Sequence, residues 1–302
     1  MAGALSLGVG ASSAAAPHPP CFGAAARDPL HPCSNPQLAR TVTPTPSQAL
    51  LVPSAPCTPI PASVSLCSFG APQSQSSATV ALLGDSHADH WRAALWTVTD
   101  ALNWYGLSVT HSSCPFTLGV LEPSNPSRQG CIDWNESVIQ WFAQQPEVTT
   151  VFTSDHPAAV VTAPGQTETQ ALVAGIIGAW AKLPASVKHI IVIRDDPLIE
   201  PSTLPCVANA IAKHLDAGLK CAFPEAKGLH RDPDVLAAQK LHSARVQVID
   251  MTNYFCGPRL CYPVIGGVLV YKDTFDHLTE EYATTLGPYV LRAVRSLMAS
   301  WR

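Results

Sequence analysis

Two stretches of this chain carry the side chains of nucleophilic acyl transfer: Gly84-Asp85-Ser86-His87, and, far downstream, Tyr271-Lys272-Asp273-Thr274-Phe275-Asp276-His277. A serine hydroxyl attacks a carbonyl effectively only when a neighbouring base takes its proton, and a histidine oriented by a carboxylate can be that base. Ser86 is the candidate nucleophile. His277 is the candidate base, which would later hand the proton to a leaving group. Asp273 lies one helical turn before His277 and can fold back onto its ring. Asp276 is adjacent to His277 and stands as the alternative acid. A bare Gly-Asp-Ser is often only a turn in which Asp85 or Ser86 caps the next helix. The strand before it, the helix after it and the distant acid and histidine together favour chemistry.

Those groups need a frame that brings residues 86 and 277 together. Residues 79–83 are a continuous apolar run ending at Gly84, and 87–102 reads as a helix. A serine at such a junction is exposed beyond the end of the strand, with backbone N–H groups close by to stabilise an oxyanion. Further strands are expected at 107–111, 149–153, 189–193 and 246–250, and helices at 134–144, 169–182, 206–217, 233–242 and 278–300. Apolar strands alternating with helices predict an α/β fold with a mostly parallel sheet covered on both faces. Ligands bind such sheets beyond the carboxyl ends of the strands, which puts Ser86, Ser154, Asp155 and Arg194 on one rim. Residues 1–20 read as a low-complexity, disordered leader, 21–75 as an irregular arm pinned by cysteines, and 76–302 as the catalytic domain.

Hydrophobic residues make up 47% of the 302 and charged residues 13%, enough for a large core. The net charge of -4, with no basic run, gives nucleic-acid binding no electrostatic support. The ten cysteines are even in number and include no Cys-x-x-Cys pair, which argues against a zinc ribbon. Local disulfides in an oxidising compartment are expected, paired in order as 21–33, 57–67, 114–131, 206–221 and 256–261. Residues 1–20 lack a basic segment and a long apolar core, and no stretch approaches the ~18 apolar residues of a membrane span. A fragment of a longer, membrane-anchored parent is therefore expected ahead of an atypical export signal. His87, Asp89 and His90 lack the spacing of a standard metal site, so surface or capping roles are expected, with no metal or organic cofactor. Trp91, Trp96, Trp104, Trp134 and Trp141 read as core or groove residues, and Arg194-Asp195-Asp196 as a rim ion pair or a loop brace.

Taken in order, these segments resemble the SGNH hydrolase superfamily. More closely, they look like the extracytoplasmic SGNH domain fused to membrane acyltransferase-3 proteins, which O-acylate surface polysaccharides and related glycans. The likeness runs from about Cys57 to the C-terminus. It is carried first by Cys67-Ser68-Phe69-Gly70, Gly84-Asp85-Ser86-His87-Ala88 with Trp91, and Ser113-Cys114-Pro115. Cys131 with Trp134-Asn135, Ile193-Arg194-Asp195-Asp196-Pro197 with Cys206, and Cys256 with Cys261-Tyr262-Pro263 follow. Gly266, Tyr271-Lys272-Asp273 and His277-Leu278-Thr279 close the series. The resemblance implies a three-layer α/β/α, flavodoxin-like sandwich, with Ser86 as nucleophile and the Asp/His segment as its partners. It implies an O-acyltransferase of acetyl type that carries an acyl group on serine to a cell-surface glycan. Its implied partner is a membrane-embedded acyltransferase-3 domain in the same parent chain, and its implied location is extracytoplasmic and membrane-tethered. A free secreted carbohydrate esterase and an inactive glycan-binding domain are the alternatives. Two departures stand out. The family spaces Asp and His three apart, whereas here Thr274 holds that position and Asp273 is four before His277. The superfamily's oxyanion Gly and Asn are not plain either: Ser154-Asp155-His156 follows the 149–153 strand, so the Ser86 backbone N–H and Ser154 are the oxyanion donors to consider.

Overall fold

The computed structural model describes residues 18–301 apart from Ser54; the first 17 residues, most of the expected leader, lie outside the described residues. Seven strands form the central sheet: β1 (Thr58–Pro59), β2 (Cys67–Gly70), β3 (Ala78–Gly84), β4 (Trp104–Thr110), β5 (Val148–Ser154), β6 (His189–Ile193) and β7 (Val246–Ile249). Their spatial order is β1-β2-β4-β3-β5-β6-β7. β3 to β7 are mutually parallel, and β2 and β1 extend one edge antiparallel.

Parallel neighbours need long crossovers, and helices on both faces supply them. Side chains alternate along β3, so Val80 and Leu82 enter one layer while Ala81 and Leu83 enter the other. The first layer packs the helix Arg92–Leu102 against the C-terminal helix Glu280–Ser300 through Leu95, Val98, Leu286 and Val290. The second holds Arg128–Phe142, Glu168–Lys182 and Pro233–Leu241, with Trp134, Phe142, Ile176 and Trp180 in its core. The architecture is the expected three-layer sandwich.

Several boundaries differ from the sequence reading, each for a local reason. The 87–102 helix is two helices, Ser86–His90 and Arg92–Leu102, meeting at Trp91. The Trp91 ring is fully buried and packs edge-on against Phe255. The 206–217 helix runs from Thr203 to Ala212 instead. His214 turns left-handed at φ 54°, and Asp216 caps a separate short helix, Ala217–Lys220. Cys67–Gly70, read as part of the irregular arm, pairs with β4 and buries Phe69 over Gly106, where any side chain would overlap the Phe69 ring.

The rest of the arm is tied down at specific points. The Ala24 N–H donates to Thr285 Oγ1 at 3.0 Å, and Arg292 donates to Asp28 at 2.7 Å, both across to the C-terminal helix. All five disulfides join the sequential pairs, and no cysteine is free. Among the described residues, no helix is long and apolar enough to cross a membrane.

The sheet positions residue 86 through Gly84. Its φ of 143° is a conformation that side chains disfavour, and a Cβ there would overlap the Ser154 carbonyl oxygen on β5. A Gly84→Ala variant should lose about 3 kcal/mol of stability, read as a fall of several degrees in melting temperature. An unchanged melting temperature would mean that β3 and β5 can part here without cost.

Candidate active site

Two carboxylates shape the turn that presents Ser86. Asp85 caps the helix Ser86–His90: one oxygen accepts the His87 N–H at 2.8 Å and the other accepts the His156 N–H at 3.0 Å. Asp155, just beyond β5, reaches back. Its Oδ1 accepts the Asp85 N–H at 2.9 Å and its Oδ2 accepts the Phe116 N–H at 3.1 Å. The ends of β3 and β5 and the turn after β4 are thereby fastened to one another, and the Ser86 hydroxyl faces a cavity of about 380 Å³.

His277 arrives from 191 residues downstream, on the loop before the C-terminal helix. Its Nε2 lies 2.8 Å from Ser86 Oγ, and its Nδ1 lies 2.8 Å from Asp273 Oδ2. An ionised carboxylate only accepts, so Nδ1 carries the ring proton and the Nε2 lone pair faces the Ser86 O–H. Asp273 Oδ1 accepts the backbone N–H groups of Phe275 at 3.0 Å and His277 at 3.4 Å. Burial pushes the Asp273 carboxyl up, but the hydrogen bonds from the His277 ring and from the Phe275 and His277 backbone N–H groups help to hold the group below its ordinary value. Asp276 points elsewhere. Its backbone is left-handed at φ 65°, and its Oδ1 accepts the Ile199 N–H at 2.6 Å. The structure therefore brings Ser86, His277 and Asp273 into one hydrogen-bonded series and leaves Asp276 bracing the loop.

Ser154 does not line the cavity. It sits opposite Gly84 in the sheet, fully buried, and its hydroxyl finds no hydrogen-bond partner among the described residues. Its neighbour Asp155 does the structural work at this strand end. The walls around Ser86 include Ser112, Ser113, Leu121, Glu122, His156 and Phe275. Ser113 holds a left-handed φ of 64° in the turn closed by the Cys114 N–H to the His111 carbonyl at 3.1 Å.

His87 and His90 are not surface residues. Both are buried, and their rings gather with those of His156 and His277 behind Ser86. Asp89 is not a cap either: its carboxylate pairs with Arg92 and accepts the Thr110 hydroxyl. His87 Nδ1 lies 2.9 Å from Asp195 Oδ1, and its Nε2 lies 2.9 Å from the Phe275 carbonyl. Burial alone would lower the His87 pKa, but the carboxylates of Asp195, Asp196 and Asp85 outweigh it and raise it to about 10. Arg194 pairs with Asp250 at 3.4 Å, so the two expectations for 194–196 divide: Arg194 makes the rim pair and Asp195 the brace. Burial raises the carboxyls of Asp85, Asp155, Asp196 and Asp234, and takes Asp232 up to about 6. Asp195-Asp196 and Asp232-Pro233-Asp234 are local pairs, but only the fold brings them beside Asp85 and Asp155.

His87, His90, Asp195 and Asp196 lie within 4.8 Å of one another and are the donor types of a metal site. Their protons point the other way. The Phe275 carbonyl requires a proton on His87 Nε2, leaving only Nδ1, which Asp195 already occupies. His90 Nδ1 accepts the Leu278 N–H at 3.3 Å, so its Nε2 carries the ring proton toward Asp196. A metal at that nitrogen would require an imidazolate. Burial, with the neighbouring histidines, also pushes His90 well below its ordinary value and keeps it neutral. The cluster suits shared protons better than an ion.

Residues 54–292 match the family described as SGNH domain (fused to AT3 domains). The chain belongs to that family. No curated protein matches this SGNH domain. Among solved structures, it resembles the periplasmic domain of a Salmonella ser. Paratyphi A lipopolysaccharide acetyltransferase at 14% identity and a TM-score of 0.56, covering 73% of this chain and 84% of that one. It also matches a family 2 carbohydrate esterase with a carbohydrate-binding domain from Corynascus thermopiles (Myceliophthora fergusii) at 13% identity and a TM-score of 0.42, over 82% and 69% of the two chains. A family two carbohydrate esterase from Clostridium thermocellum, in complex with cellohexaose, gives 8% identity and a TM-score of 0.42 over 76% and 67%. At these identities the first likeness speaks to the fold.

The buried charge has a measurable consequence. His87 has a pKa of about 10 in the fold against an ordinary 6.5. Above about pH 6.5 the unfolded chain releases a proton that the folded chain keeps. That contribution is complete below pH ~6.5 and is lost as the pH rises through about 10. The burial-raised carboxyls act in the same direction, because each costs stability when it ionises. The melting temperature of this SGNH domain should therefore fall between pH 7 and about pH 9, and less steeply in a His87→Gln variant. A flat or rising wild-type profile would contradict the buried imidazolium.

Proposed function

We propose that this SGNH domain is a serine acyl-transfer enzyme working outside the cytosol, with Ser86 as nucleophile, His277 as general base and acid, and Asp273 as the orienting acid. The observation that carries the reading is the Ser86–His277–Asp273 series, with 2.8 Å at both links, opening on a cavity beyond the carboxyl ends of a parallel sheet. Ser86 Oγ attacks the carbonyl carbon of an acyl donor while its proton passes to His277 Nε2. The resulting oxyanion is held by the Ser86 backbone N–H, with the Ser112–Ser113 turn on the cavity wall as the second source of donors. Collapse breaks the bond to the leaving group, which takes the proton from His277, and leaves an acyl-serine. An acceptor hydroxyl then gives its proton to His277, attacks the acyl carbon and departs as the new ester, and Ser86 regains its proton.

The acceptor in this reading is a sugar hydroxyl of a cell-surface glycan, and the acyl group is of acetyl type. Family membership supports it, since the matched domain occurs fused to AT3 domains. The membrane-embedded acyltransferase-3 domain is accordingly the proposed donor of the acyl group, in the same parent chain. Phe275 agrees with a sugar acceptor: its ring is 70% exposed at the cavity rim and offers a flat apolar face to a pyranose. Five disulfides agree with an oxidising, extracytoplasmic location. With water as acceptor the same steps describe an esterase.

Wild-type protein should hydrolyse a short aryl acetate and take up a serine-directed phosphonate at residue 86, and Ser86→Ala should lose about 10⁴-fold in rate and all labelling. Equal inactivity of both proteins with no adduct would reject the catalytic reading. Partition of product between water and an added oligosaccharide separates esterase from transferase. Asp273→Asn should lower kcat by about 10³-fold or more, because it removes the carboxylate that fixes the His277 tautomer. Asp276→Asn keeps an acceptor for the Ile199 N–H and should cost under about tenfold; the opposite ranking would give Asp276 the orienting role.

A further inference from the structure

The loop that carries both Asp273 and His277 has little packing of its own. The Phe275 side chain at its tip is largely exposed at the cavity rim, and Thr274 is exposed. Beside the Ser86–His277 contact and the Lys272 Nζ bond to the Val52 carbonyl, two polar ties at residues 275 and 276 fix the loop to the helix after β3 and to the segment after β6. The Asp276 carboxylate accepts the Ile199 N–H, and the Phe275 carbonyl accepts from His87 Nε2 at 2.9 Å. The second tie continues inward. His87 Nδ1 meets Asp195 Oδ1 at 2.9 Å, and the Asp195 backbone N–H is itself held by Asp232 Oδ2 at 2.8 Å, beside the end of β6. A carbonyl and a carboxylate both only accept, so both His87 nitrogens carry protons. His87 is thus a doubly donating bridge between the sheet and the catalytic loop, and its side chain is 1% exposed.

We propose that His87 is the positioning residue of this site: bridging Asp195 and the Phe275 carbonyl, it holds the 273–277 loop where His277 reaches Ser86. The proposal rests on the Ser86–His277–Asp273 reading above and adds a residue that touches none of the reacting atoms. Its logic is geometric. His87 sits one residue after the nucleophile, and its other nitrogen grips the residue midway between the acid and the base. One rigid ring therefore sets the distance between the two halves of the site. An error of about 1 Å in such a distance can cost about 10²-fold in rate. The groups facing His87 are Asp85 and His90 from its own helix and His156, Asp195, Asp196 and His277 from the segments packed against it. A neutral His87 would present a lone pair to one of its two acceptors and release that end of the bridge.

The test compares wild type, His87→Gln and Asp195→Asn on an aryl acetate, by phosphonate labelling of Ser86, and by NMR of ¹⁵N-histidine-labelled protein. His87→Gln should lower kcat about 10- to 100-fold with KM nearly unchanged, and slow labelling in proportion. Asp195→Asn keeps an acceptor but removes the charge that holds the second proton. Its kcat should acquire a new ionisation near neutral pH, falling on the alkaline side, which a purely structural loss would not produce. In wild type the His87 ring nitrogens should both read as protonated at pH 8, and the His277 Nδ1–H resonance should broaden or shift in His87→Gln. Wild-type kcat in His87→Gln, or a neutral His87 at pH 8, overturns the proposal. So does activity lost to a chelator and restored by a divalent metal, which would give the cluster to an ion. If wild type neither turns over nor labels, the catalytic reading fails, and the NMR comparison alone still decides whether His87 holds the loop.

Discussion

Everything at the candidate site hangs on how closely β3 and β5 end side by side. Gly84 leaves room for the Ser154 carbonyl, and that contact lets Asp155 reach across to the Asp85 N–H and the Phe116 N–H. Asp85 in turn caps the Ser86 helix and holds His156. One close approach between two parallel strands thereby sets the turn at Ser86, one wall of the cavity and the packing behind it. A bulkier residue at 84 would disturb all three at once.

That arrangement concentrates acids where water is scarce. Asp85, Asp155, Asp195, Asp196, Asp232 and Asp234 are all buried near the carboxyl ends of the strands. Backbone N–H groups satisfy several of them, but among the described residues no arginine or lysine is bonded to any of the six. Burial favours the neutral form of Asp85, Asp155, Asp196, Asp232 and Asp234, and Asp195 meets His87 Nδ1 at 2.9 Å. Buried polar groups in a low-dielectric setting interact strongly and tolerate little displacement, and they lie directly behind the Ser86–His277–Asp273 hydrogen bonds.

Much of the site was legible in the sequence, for identifiable reasons. Ser86 is announced by a strand, a Gly-Asp turn and a helix, all local signals. Asp273 and His277 lie four residues apart, so their pairing is also local. The cysteine pairs follow simple order along the chain. What stayed hidden depends on neighbours across the sheet. His87 reads as a helix-cap neighbour until β6 places Asp195 against it. Asp155 and Ser154 are adjacent in sequence, yet the strand's alternation buries the hydroxyl and turns the carboxylate toward Asp85. In the fold, residue 67 looked like irregular arm because its strand-forming partner, β4, lies some forty residues away.

The cysteine connectivity reaches beyond the static fold. Every bridge spans 5 to 17 residues, and in each case the partner is simply the next cysteine along the chain. A polypeptide emerging N-terminus first into an oxidising space therefore meets its correct partner before any wrong one becomes available. Oxidation can keep pace with emergence, without shuffling, and without waiting for Ser86 and His277 to find each other. The covalent bonds secure the loops one by one, and joining the two halves of the site is left to packing and hydrogen bonds alone.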